Sequence, residues 1–306
     1  MPVQLRNSRI GRTALFLVFL GSFLILIPGG PAGAQDKKKV LQIGMSESFF
    51  SDMPAAFTAV FTAEFKLVLK KALELDGDLD CKHDAVTITK KLDRKELDFA
   101  LLHGHEFAWL QKDNPDLKPV VVAQGKNPAE EVYLVVHKDC AATSIADLRG
   151  KKIDIPAGSK AYCRVFLDRL CADNARSVPA MHFSAMEKSE SPAAGLDAVC
   201  RQKCDAVLVD GYMLEFYKDV RGPVFDKHLR VLKQSEAFPH PIIVYKEGRV
   251  DEATVKHVRE GMLKVHTNFL GRSLMTLAKF EQFVPMTDGY AKQLESVRAS
   301  YPAPSR

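Results

Sequence analysis

Ile153-Asp154-Ile155-Pro156-Ala157-Gly158-Ser159-Lys160-Ala161-Tyr162 reads as a strand, a tight glycine turn and a helix opened by a serine. A strand that feeds straight into a helix is the unit from which α/β sheets are built. The spacing predicts the helix over Ser159–Asp173. Its first backbone N–H groups have no intrahelical partners, and the helix dipole adds partial positive charge at the same end. Gly158 permits close approach of the backbone to a ligand. Gly158, Ser159, Lys160, Ala161 and Tyr162 are therefore candidate contacts for a small anionic group. The bland alternative is an ordinary N-cap, a role that serine fills in many helices.

The alternation extends in both directions. Upstream, strands are predicted at Lys39–Met45, Leu97–Leu102, Pro119–Ala123 and Val132–Val136. Helices are predicted at Ala56–Leu75, where Phe57, Phe61, Phe65, Val68 and Ala72 form an apolar stripe, and at Glu106–Lys112. Downstream, Met181–Phe183, Asp205–Val209, Val231–Lys233 and Ile242–Tyr245 read as strands, with helices at Ala193–Lys203 and Tyr212–Lys218. The tail reads as three helices, Glu252–Leu270, Arg272–Phe280 and Asp288–Ala299. Strands alternating with helices imply an α/β fold with mostly parallel sheets. In such sheets ligands sit beyond the carboxyl ends of the strands. That rule points to the loops after Gly44, Leu102, Ile155 and Val209.

The amino-terminus reads as an export signal. Arg6, Arg9 and Arg12 precede an apolar run over Ala14–Pro28, and Ala32-Gly33-Ala34 is a pattern that a signal peptidase accepts. The run is shorter than the roughly 20 residues that a membrane-spanning helix needs. Removing residues 1–34 takes away three arginines and no acid, so the formal charge falls from +5 to +2. A chain so nearly balanced gives no electrostatic reason to expect nucleic acid or an anionic membrane as a partner. Six cysteines follow the signal, at 81, 140, 163, 171, 200 and 204. Export permits disulfides, but a chain of this size does not need them, so free thiols and one or two bridges both remain open.

Two further motifs carry polar chemistry. His103-Gly104-His105-Glu106 follows a buried strand, but it lacks the i, i+4 histidine pair of helical zinc sites. It reads as a polar loop that can line a cleft, with His103 a candidate contact beside Ser46 and Ser48 after the first strand. Asp210 ends the strand Asp205–Val209 and can pair with a ligand amine or cap the next helix. No G-x-S-x-G elbow, P-loop or G-x-G-x-x-G occurs in the chain. No metal or cofactor is expected from these residues.

Several segments, in order, resemble the substrate-binding proteins of phosphate, phosphite and phosphonate ABC importers. They are Leu97-Asp98-Phe99-Ala100-Leu101-Leu102; Ile145-Ala146-Asp147-Leu148-Arg149-Gly150-Lys151-Lys152-Ile153 with Gly158-Ser159; Asp197-Ala198-Val199 with Cys204-Asp205-Ala206; Ser235 to Pro241; and Leu270-Gly271-Arg272-Ser273-Leu274 with Phe283-Val284-Pro285-Met286-Thr287-Asp288 and Tyr290. The resemblance implies a two-lobed type II periplasmic-binding-protein fold with a ligand cleft between lobes. It implies one lobe of residues 35–130 plus 243–306, a second of 131–242, and crossovers near Glu131–Val136 and Pro239–Tyr245. It also implies that Ser159 and the amides of Lys160 and Ala161 hold the anionic group, and that the partner is an ABC permease. After Gly158-Ser159 the family continues with small hydroxyl residues and glycine, whereas this chain has Lys160-Ala161-Tyr162-Cys163. The expected function is capture of a small anionic ligand outside the cytoplasm, not catalysis. The alternatives are an exported enzyme on the same scaffold, using His103, His105 or a cysteine, and a binding protein that feeds a membrane sensor. Amino-terminal sequencing of the exported protein should find a start near Gln35; a chain that begins at Met1 and needs detergent for extraction contradicts the signal reading.

Overall fold

The computed structural model describes residues 40–51 and 53–303; the export segment expected over 1–34 lies outside them. The chain begins with β1 (Leu41–Ser46), α1 (Ala55–Ala72), β2 (Gly77–His83), α2 (Ala85–Asp93), β3 (Phe99–Leu102), α3 (Gly104–Asp113) and β4 (Leu117–Gln124). It continues with β5 (Val132–His137), β6 (Lys152–Asp154), α4 (Ala161–Ala175), α5 (Pro179–His182), β7 (Ala185–Glu187), α6 (Pro192–Cys200), β8 (Ala206–Asp210), α7 (Gly211–His228) and β9 (Leu229–Gln234). It ends with β10 (Ile242–Lys246), α8 (Glu252–Lys264), α9 (Phe269–Ala278), β11 (Gln282–Val284) and α10 (Asp288–Ser300).

Two sheets organise these elements into two α/β lobes. The first sheet has the order β11-β4-β10-β3-β1-β2, and the second β7-β6-β8-β5-β9. The first thus combines strands from both ends of the described chain, while the second is one uninterrupted stretch. The tail helices return to the first lobe, where α9 packs on α1 and α10 on α3. The stripe that predicts α1 is the reason for the first contact. Phe61, Phe65, Val68 and Leu69 are buried in one core with Leu274 and Met275 of α9. Among the described residues no helix is long and apolar enough to cross a membrane.

The sheets are mixed, which corrects the expectation of mostly parallel pairing. β1 pairs in parallel with β2 and β3, and β6 with β7 and β8. β10 runs antiparallel to β3 and β4, β11 to β4, and β5 to β8 and β9. β5 and β10 are the strands by which the chain enters each sheet from the other lobe, and both enter against the local direction. Between them, Glu130 and Phe238 form an isolated antiparallel bridge, with N–H to O distances of 2.9 and 2.7 Å.

Several elements differ from the periodicity reading. The strand expected at Met181–Phe183 is the short helix α5 with β7 just beyond it, because Pro179 supplies a ready first helical residue. β2 and α2 have no counterpart in that reading. β2 is an edge strand carrying Asp78, Asp80 and Lys82, so its apolar signal is weak. α2 is capped by Asp84, whose carboxylate accepts from the Thr87 N–H at 2.7 Å, and it buries Ile88 and Leu92 one turn apart. The helix expected to run to Leu270 is cut at Lys264 by a 3-10 turn over Val265–Thr267.

Gly104 is required by a close approach. A Cβ there would lie 2.2 Å from the Pro239 carbonyl oxygen and 2.6 Å from that of His240. The α3 amino-terminus is therefore pressed against the second crossover. Gly104→Ala should destabilise the fold by about 1–3 kcal/mol or more, since the obstacle is backbone. Urea unfolding checks this, with Gly289→Ala, whose nearest atom is a Thr287 hydroxyl at 3.6 Å, expected to be near neutral.

Candidate functional site

A cavity opens where the carboxyl ends of β1, β3 and β6 face one another. Its first-lobe wall comes from the segment after β1, the start of α1, His103 after β3, and the end of α9. Its second-lobe wall is Gly158, Ser159, Lys160 and Ala161. The room for centres of water-sized molecules is about 60 Å³. The lobes touch around it: the Met53 sulfur lies 3.6 Å from the position a Cβ on Gly158 would take.

The second-lobe wall starts with a turn rather than a cap. Ser159 N–H donates to the Pro156 carbonyl at 3.2 Å, and Gly158 takes φ +72°, as the third residue of a type II turn requires. The Ser159 hydroxyl also donates to that carbonyl, at 2.7 Å. Helix α4 starts at Ala161 with Lys160 as its N-cap, which corrects the expected start at Ser159. Lys160 lacks the capping oxygen of serine, and its ammonium lies 5.9 Å from the centre of the Phe280 ring in the opposite lobe.

Lys279 has no part in the sequence reading, yet it faces the same cavity. It ends α9 in the left-handed conformation, φ 60°, which turns the chain sharply after Ala278. Its ammonium lies 3.8 Å from the Met213 sulfur and 6.0 Å from the centre of the Tyr212 ring, both on the second lobe. Lys279 is exposed as a whole, though its ammonium has protein close by. The desolvation this causes, with the Lys160 charge nearby, lowers its pKa, while Asp210 and Glu130 oppose the shift. The signal that could have exposed Lys279 is its place after Thr276-Leu277-Ala278, where a helix ends.

His103 is 3% exposed and stacks on Phe49 with ring centres 3.8 Å apart. Its Nε2 is buried without a hydrogen-bond partner. Burial, followed by the charges of His105 and Lys160, keeps its pKa well below the usual imidazole range. Glu106, three residues on, accepts from the His103 N–H at 2.9 Å and from both the Ser46 and Ser48 hydroxyls at 2.8 Å. Ser46 is fully buried on this carboxylate and does not line the cavity, whereas Ser48 does. Burial raises the Glu106 pKa, and the three donors pull against it.

Tyr162 and Asp210 also fall outside the cavity wall. The Tyr162 ring stacks on Phe238 with centres 5.2 Å apart, and its hydroxyl donates to Glu130. Asp210 caps α7, accepting from the Met213 N–H at 2.9 Å, and burial raises its pKa. Among the described residues no group of three or more His, Cys, Asp or Glu side chains is placed to hold a metal ion. All six cysteines are free thiols. Burial pushes Cys163, the one closest to the site in sequence, well above the ordinary thiol range, which disfavours the nucleophilic thiolate.

Two α/β lobes joined by two crossovers, with a cavity between strand ends, form the architecture of a two-lobed binding protein. The chain belongs to the family described as ABC transporter, phosphonate, periplasmic substrate-binding protein, which matches residues 52–290. That is a family of exported proteins serving transport, not a family of enzymes. Similar solved structures include XAC2383 from Xanthomonas citri bound to ATP, 16% identical, TM-score 0.59, covering 86% of this chain and 96% of that one. A binding protein component of an ABC phosphonate transporter from Pseudomonas aeruginosa is 14% identical, TM-score 0.57, with 86% and 88% covered. PhnD1 from Prochlorococcus marinus in complex with methylphosphonate is 15% identical, TM-score 0.57, with 86% and 98% covered. At these identities the structures attest to the fold. No curated protein matches the chain.

Behind the cavity, burial drives the Glu130 pKa upward, but the His240 contact, the Lys160 charge and the Tyr162 hydroxyl outweigh it and bring the value to about 2. A depressed carboxylate stabilises the fold fully above its ordinary 4.5, and this contribution is lost as pH falls from there toward about 2. His105, held neutral by burial down to about 3, adds a loss that begins nearer its ordinary 6.5. The melting temperature should therefore fall from about pH 6.5 downward and more steeply below about 4.5. Glu130→Gln should be less stable at neutral pH and should flatten only the steeper, more acidic part of that profile.

Proposed function

We propose that the protein captures a phosphonate, or an oxyanion of the same shape, between its lobes and presents it to an ABC permease in the membrane. The observation that carries this reading is the approach of Lys160 and Lys279, from opposite lobes, to one cavity that also receives the amino-terminal end of α4. Both ammonium groups meet mainly soft partners here, Lys160 over the Phe280 ring and Lys279 beside the Met213 sulfur. Gly158, Ser159 and the amides of Lys160 and Ala161 form the anion-facing wall of the second lobe. Ser48 and His103 face them from the first. Ser46, Tyr162 and Asp210 act behind the wall by holding Glu106, Glu130 and α7.

His103 suits an oxyanion that still carries a proton. Burial keeps the ring neutral, so one of its two nitrogens is an acceptor. The unpartnered Nε2 accepts a ligand O–H in the tautomer whose proton is on Nδ1. A singly protonated phosphonate has the matching O–H, and a sulfonate has none.

Capture proceeds by lobe closure about the two crossovers, with lobes of residues 35–130 plus 243–306 and of 131–242. Closure adds contacts from the second wall to those already made with the first, a hinge motion. Calorimetry on the mature protein with methylphosphonate tests the reading. Saturable one-to-one binding is expected, with methanesulfonate binding much more weakly. Lys160→Gln and Lys279→Gln should each weaken binding by about 1.5–3 kcal/mol, the range for a hydrogen bond to a charged group, or roughly 10- to 150-fold. Lys256→Gln, on the exposed face of α8, serves as control. Equal affinities for all three variants would overturn the assignment.

A further inference from the structure

The cavity wall mixes a few polar groups with many aromatic ones. Its polar groups include the α4 amino-terminus, Ser159, Lys160, Lys279 and His103; His103 stacks on Phe49, and the Lys160 ammonium lies 5.9 Å from the centre of the Phe280 ring. Much of the rest is aromatic: Phe49, Phe50, Phe57, Phe61 and Phe280, with the Met53 thioether closing over Gly158. These rings hold one another in place. Phe61 meets Phe50 edge-on with centres 5.6 Å apart, and Phe57 at 6.4 Å nearly parallel. Phe57, Phe61 and Phe65 stand one turn apart along α1, so the apolar wall is as rigid as that helix.

A tetrahedral ligand enclosed here meets both kinds of group. Inorganic phosphate has four oxygens, and at least one would be pressed against phenyl carbon. A buried polar group without a hydrogen bond is strongly disfavoured, and an ionised one more so. A phosphonate exchanges one P–O bond for a P–C bond. Its three oxygens can meet the lysines, the amides and His103, while the carbon substituent meets the rings.

We infer that this cleft selects phosphonates whose substituent is a short, uncharged alkyl group, over inorganic phosphate and over phosphonates bearing an amine. The inference rests on the reading of the site as a phosphonate receptor. The size is consistent with it, because so small a space takes the oxygens and only a few carbons. An ammonium at the end of the substituent would have to lose its water shell against Phe57 and Phe61 while sitting within reach of two lysine charges. Recognition of a quaternary cation by aromatic rings exists, but here both lysines would oppose it.

The experiment compares methyl-, ethyl- and propylphosphonate with phosphate and with 2-aminoethylphosphonate, which matches propylphosphonate in heavy-atom count. Titration calorimetry on the mature protein should show affinity rising roughly fourfold with each added methylene. Propylphosphonate should bind at least tenfold more tightly than phosphate or 2-aminoethylphosphonate. Phe57→Ala, at a half-buried position, should reduce the gain from methyl to propyl. Phosphate or 2-aminoethylphosphonate binding as tightly as propylphosphonate overturns the inference, while methylphosphonate binding in the same experiment leaves the receptor reading in place. A folded protein that binds none of the five overturns both. An undiminished propyl preference in both Phe57→Ala and Phe280→Ala removes the aromatic wall as its cause.

Discussion

The arrangement of the two lobes depends on one largely buried carboxylate. Glu130 stands where the first crossover leaves β4 for β5, and its backbone is bridged to Phe238 on the second crossover. Its side chain accepts from Tyr162 on α4 and lies 3.3 Å from His240 Nδ1, close enough for attraction though off the line a hydrogen bond needs. His240 is itself anchored, with Nε2 2.8 Å from the Asn127 carbonyl. A charge taken out of water is tolerated only with such partners, and these come from both crossovers and from the helix that forms the second cavity wall. The junction is closed over by Phe238, fully buried between Tyr162 and Tyr301. Lys160 contributes to holding Glu130 ionised, so the cation that faces the cavity also acts on the group behind it.

Much of this fold is legible from periodicity, and the exceptions have physical causes. β3 and β8 are short apolar runs buried along their length, and α1 carries a long helical stripe; such elements announce themselves. β2 does not, because an edge strand turns charged side chains outward. α2 is only nine residues, and its buried Ile88 and Leu92 are separated by polar residues. Strand direction is less accessible still. Alternating strands and helices suggest parallel pairing, but β5 and β10 each follow a crossover, and nothing local in their sequences states the direction from which they enter the sheet.

The site divides along the same line. The turn at Gly158 and the polar loop at His103 lie next to strand ends and are visible as motifs. The roles of Ser46, Tyr162 and Asp210 are not, because each side chain is claimed by a neighbour far away in sequence or by its own helix end. A list of polar residues near strand ends does not separate those that face the ligand from those that hold the facing ones. The aromatic half of the wall is hidden for another reason. Phe57 and Phe61 belong to the same stripe that packs α1 on the core, so periodicity alone assigns them to packing.

Lys279 shows how stability and recognition diverge at a single position. A side chain in the left-handed conformation costs about 1–2 kcal/mol, which glycine avoids, and glycine is the commonest residue where a helix ends this way. A sequence selected for helix termination alone would therefore have glycine at 279. Lysine accepts that strain and places a cation at the cleft, reaching across to Tyr212 and Met213. Local instability at this residue is then not a defect to be repaired. On the reading proposed for the site, a thermostabilised version of the protein obtained by optimising helix ends would trade away half of its cationic pair, and would become more robust as a fold while becoming poorer as a receptor.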